Sequence, residues 1–63
     1  MKSLIENYIN GNLSIARKQA RRHSIPTMEA FMVESYGFSP EKALRVAVWL
    51  KTGEGWQAAC DAQ

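Results

Sequence analysis

The chain has 63 residues, 46% of them hydrophobic, a net charge of +2 and one cysteine. A single domain spanning residues 1–63 hides only about 60% of the surface its unfolded chain exposes, so one core supplies on the order of 3–5 kcal/mol unless a second subunit helps. Lone Cys60 excludes an internal disulfide, no apolar run nears the roughly 20 residues of a membrane span, and the start "MKSLIENYING" is too polar for a signal peptide; a soluble, cytoplasmic protein, with a homodimer as an option, is expected.

Leu4, Ile5, Tyr8 and Ile9 recur at i, i+1, i+4 and i+5, one apolar stripe of a first helix. Gly11, inside "NGN", can take the left-handed conformation that closes it. Asn12 or Ser14 can cap a second helix, on which Leu13, Ala16 and Ala20 line one side. The segment "YINGNLSIARKQA" thus predicts a tight helical hairpin. It occurs once, without a period, which excludes a repeat array.

Pro26 is tolerated only in a first turn, so Ser24 or Thr27 caps a third helix. That helix runs through Met28, Phe31, Met32 and Val33 to Tyr36 and stops at Gly37. "FSPEK" is the strongest start signal: Ser39 as cap, Pro40 at the first helical position, Glu41 beside the helix dipole. The fourth helix, "PEKALRVAVWLKT", is expected to bury Ala43, Leu44, Val46, Ala47 and Leu50, with Val48 at the margin. Gly53 and Gly55 break it, and "WQAACDA" predicts a short terminal helix with Trp56, Ala59 and Cys60 on one side. No segment alternates with period two. The fold class is all-α, a compact bundle of four to five short helices.

Charge is unevenly spread along this frame. Residues 1–25 carry Lys2, Arg17, Lys18, Arg21 and Arg22 against Glu6 alone, and from Ser39 onward the signs balance. Arg17/Arg21 and Lys18/Arg22 are i, i+4 pairs of like charge, mildly repulsive, and they span an arc of about 140° opposite the apolar side. Such a strip is either a solvated face or a surface awaiting negative charge. Both readings stand on the sequence.

Catalytic patterns are missing. His23 is the one histidine and has no partner nearby in sequence, and an unpaired cysteine such as Cys60 usually behaves as a small buried hydrophobe. There is no Gly-rich phosphate loop, carboxylate pair or metal-ligand spacing, and Met28 and Met32 read as core. No enzyme, cofactor or metal is expected.

On the fourth helix Trp49 falls outside the expected stripe, on the side of Lys42 and Arg45. An outward Trp beside Arg has the composition of a binding hot spot. The competing expectation is that the terminal helix folds back over it, because large aromatics are seldom left bare; a dimer seam through Trp49 would serve both. Segment 31–50 also partly matches a DNA-reading helix-turn-helix through Val33, Gly37 and Ala43. Its presumed reading helix, however, opens on Pro40 and Glu41, the latter repelled by phosphate.

"MKSLIENYINGNLSIARKQARRHS", the central "GFSPEKA" and the ending "GWQAACDAQ" resemble the small early proteins encoded between the exonuclease and excisionase genes of lambdoid bacteriophages. The likeness implies a phage protein of the host cytoplasm, made early and affecting the host cycle or the choice between lysis and lysogeny. It implies no catalytic residues. The sequence-level expectation is a regulatory protein-protein interaction module whose candidate contacts to a host or phage protein are Arg17, Lys18, Arg21, Arg22, Lys42, Arg45 and Trp49. The alternative is a small DNA-binding protein using the Arg17–Arg22 strip and segment 31–50.

Overall fold

Among the described residues four helices follow one another, α1 (Lys2–Ile9), α2 (Leu13–Ala20), α3 (Ile25–Tyr36) and α4 (Pro40–Thr52), an all-α bundle. The structure, a computed structural model, describes residues 1–54. The expected terminal helix, with Trp56, Ala59 and Cys60, lies outside the described residues. No helix among the described residues is long and apolar enough to cross a membrane.

Helix ends follow local chemistry. Ser24 caps α3 by accepting from the Thr27 backbone N–H at 3.3 Å, and Ser39 caps α4 by accepting from that of Lys42 at 3.1 Å. Both α3 and α4 have proline in the first turn, where no N–H is missed. Gly37 closes α3 at φ 68°, with the Phe38 N–H reaching back to the Met32 carbonyl at 3.2 Å, which satisfies an orphan carbonyl of the last turn.

The start of α2 departs from expectation. Asn12 is its N-cap by position, but its side chain accepts no bond from the helix. It donates instead to Asn7 Oδ1 at 3.3 Å. Asn7 Nδ2 in turn donates to Gln19 Oε1 at 3.0 Å, and Gln19 Nε2 to Ser3 Oγ at 3.3 Å. This chain of side-chain bonds fastens α1 to α2 along a polar edge. The cap was traded for a tie between two helices.

Packing joins two hairpins. α1 lies chiefly against α2 and α3 against α4, while α2 also meets α4. The core holds Leu4, Ile5 and Tyr8 from α1, Ala16 and Ala20 from α2, Met28 and Met32 from α3, and Ala43, Val46, Ala47, Trp49 and Leu50 from α4. Both methionines are core, as their spacing predicts. The apolar face of α4 is rotated from the expected stripe: Leu44 is 45% exposed and Trp49 only 7% exposed. The cause is the α1–α2 hairpin, which packs on the Trp49 side of α4 and puts the Tyr8 ring 6.0 Å from the Trp49 ring.

Candidate basic interaction surface

The α2 strip sits where the helix runs out. Arg17 and Lys18 occupy the last turn of α2 and Arg21 is its C-cap. Beyond it the chain tightens, with the Arg22 N–H bonded to the Gln19 carbonyl at 3.2 Å and the His23 N–H to that of Ala20 at 3.1 Å. All four cations are exposed, above the fully buried Ala16 and Ala20. None of the four makes an ion pair among the described residues. Cations at a helix carboxyl end offset its partial negative charge of about half a unit. That accounts for a fraction of one of them.

Two clefts flank this ridge. On one side Ser14, Arg17, Lys18 and Arg21 of the α2 segment face Leu50 and Lys51 of α4 across a cleft of about 320 Å³. On the other, Lys18, Gln19, Arg22 and His23 face Met1, Ser3 and Leu4 across a second cleft of about 320 Å³. Lys18 borders both. Ser14, Arg17, Lys18 and Arg21 fall on one side of α2 because offsets of three, four and seven return to the same face.

Arg17 differs from its neighbours in being held. Its guanidinium carbon lies 5.8 Å from the centre of the Trp49 ring. It also packs on Gly53, where a Cβ would stand 2.5 Å from Arg17 Nη2. The aliphatic stem and planar head of arginine suit such stacking, which contributes about 0.5–1 kcal/mol at an exposed site.

The other candidate residues do not join the ridge as a shared hot spot. Trp49 is part of the core, so neither an outward anchor nor a dimer seam through its ring is available. Tyr8 and Arg17 of the first hairpin pack on it, whereas the covering residue expected from the terminal segment lies outside the described residues. Arg45 bonds to Glu41 at 2.7 Å, an exposed i, i+4 pair. Lys42 is half-buried, its ammonium 4.3 Å from the centre of the Phe38 ring. Lys42 and Arg45 therefore both have intramolecular company.

The chain matches no family model, no curated protein and no solved structure.

The α3–α4 unit keeps part of the helix-turn-helix pattern: Gly37 is left-handed in a three-residue turn, and Ala43 is buried. At the start of α4, however, Pro40 and Glu41 are exposed, and Glu41 is the residue that holds Arg45. That end presents a carboxylate where a duplex presents phosphates. Among the described residues no three His, Cys, Asp or Glu side chains gather into a metal-holding group.

Lys51 and Ser14 are the contributors that sequence reasoning passed over. Lys51 lies thirty positions beyond Arg21, and only the packing of α2 on α4 brings it to the same cleft. Ser14, a cap candidate on the sequence, lies inside the first turn of α2, and its hydroxyl makes no hydrogen bond among the described residues.

Proposed function

We propose that this protein is a non-enzymatic interaction module whose working surface is the α2 ridge of Arg17, Lys18, Arg21 and Arg22, engaging an acidic surface on a host or phage protein. The observation that carries the reading is the absence of carboxylate partners for these four side chains among the described residues. Like charges at i, i+4 repel, and an acidic partner would turn that cost into attraction. Complementary potential of this kind mainly sets association rate and partner choice. The resemblance of the chain to early proteins of the lambdoid exonuclease–excisionase region supports a role in the host cytoplasm, biasing host cycle or phage development.

A second reading, phosphate-backbone binding to DNA by the same ridge, is favoured by the two clefts bordered by Lys18, since cations on both flanks of a helix could meet two phosphate rows. The acidic start of α4 weighs against base readout by segment 31–50.

Arg21→Glu/Arg22→Glu separates them. Under the first reading the wild type captures a discrete protein from host lysate that the charge-reversed variant loses, and neither retards DNA at physiological salt. A partner held equally by both variants refutes the ridge as the contact. Under the second, wild type retards DNA with affinity falling about a hundredfold for a fourfold rise in salt, as four phosphate contacts require.

A further inference from the structure

We infer that the cleft between α2 and α4 is a binding site for a ligand bearing two adjacent phosphate groups, held by Arg17, Lys18, Arg21 and Lys51 with the Ser14 hydroxyl as a neutral donor. The inference rests on the reading of the α2 ridge as a working surface and adds to it a second wall, a volume and a ligand class.

The charge count selects the ligand. Four cationic side chains border this one cleft. The carboxyl ends of α2 and α4 contribute partial negative charges of about half a unit each, which leaves a surplus of about three. A lone carboxylate supplies one. A phosphate group carries about −1.5 to −2 at neutral pH, so two joined phosphates match the surplus where one does not. The volume agrees: at about 320 Å³ the cleft stands near the lower bound of small-ligand sites, roughly 300 Å³. It has room for more than a single ion.

The donors also differ in kind, as phosphate recognition exploits. Two guanidinium groups present planar forks suited to paired oxygens, while two ammonium groups act as mobile point charges. Arg17 already packs against Trp49 and Gly53, which favours one placement of its head before a ligand arrives and lowers the ordering cost of binding. Leu50, 1% exposed, forms an apolar floor. Ser14 heads the row on α2, its hydroxyl uncommitted among the described residues.

The test is a titration of the full 63-residue chain, labelled for backbone amide NMR, with inorganic pyrophosphate at fixed ionic strength, and in a parallel arm with ADP. Saturable shifts centred on Ser14, Arg17, Lys18, Arg21 and Lys51 are expected. Saturation by pyrophosphate alone marks an inorganic source, and saturation by both marks the diphosphate tail of a nucleotide as sufficient. Lys51→Ala removes one charge-assisted contact at an exposed position and weakens binding by about tenfold, with the rest of the spectrum unchanged. Lys2→Ala, an exposed cation of α1 outside the ridge and the cleft, leaves affinity within about twofold. Shifts that stay linear with concentration, that spread equally to Arg22 and Lys2, or that ignore Lys51→Ala overturn the site. Because Lys51 is outside the α2 ridge, loss of the cleft leaves the partner reading standing, and failure of partner capture leaves the titration intact.

Discussion

Replacing Gly53 by alanine tests how the ridge is anchored. Gly53 has φ 77°, in the left-handed region, and an added Cβ would meet Arg17 at 2.5 Å from Nη2 and 3.0 Å from Cζ. Gly37 offers a matched control, with φ 68° and nothing within 4 Å of a built Cβ. Both substitutions carry the left-handed penalty for a residue with Cβ, about 1–2 kcal/mol. Only Gly53→Ala also displaces the guanidinium, forfeiting a stacking contribution of about 0.5–1 kcal/mol. The neighbour is the tip of a flexible side chain, so Arg17 swings away and the backbone stays. Gly53→Ala should therefore cost about 0.5–1 kcal/mol more than Gly37→Ala, a further fall in Tm of about 2–8 °C for a chain of this size. Urea unfolding followed by far-UV circular dichroism measures both. The decisive comparison repeats Gly53→Ala in an Arg17→Ala background, where the excess should vanish as a coupling energy. An excess that persists without Arg17, or equal costs at the two glycines, refutes the contact as the cause.

Two further outcomes follow from the core and the caps. Trp49→Ala removes a side chain only 7% exposed, and at about 3–5 kcal/mol for such a truncation it should leave no cooperative thermal transition in a domain of this length, whereas a Trp49 that merely decorates the surface would be lost with little change in Tm. Ser39→Ala removes the acceptor of the Lys42 N–H and should cost about 1 kcal/mol, with Ser39→Asp recovering most of it; equal stability of wild type and Ser39→Ala by urea titration would contradict the cap.

Much of the architecture could be read from residue order because its signals are local. Ser39-Pro40-Glu41 states a helix start in three residues, and Gly37 and Gly53 state two ends. Periodicity also identified Met28 and Met32 as core. Trp49 lies off the stripe that spacing predicts, yet in the core, for a physical reason: a helical wheel gives direction about one axis but not which side the remaining helices occupy. On α4 the buried arc is set by the α1–α2 hairpin, so it takes in Trp49 and releases Leu44. Asn12 misled in the same way, since its capping propensity is local whereas its competing bond to Asn7 depends on how the hairpin closes. The cationic strip was legible as a run of charge. Its second wall was not, because Lys51 reaches Arg21 through tertiary packing alone.

The two alanines beneath the ridge have a consequence of their own. With Ala16 and Ala20 wholly enclosed, nothing longer than a methyl group separates the α2 backbone from its neighbours at those two positions. The height at which the arginines stand above the molecule is thus governed by the smallest chiral side chain available. Valine at either site would act as a shim, lifting one flank and tilting the whole charged row without altering a single charge.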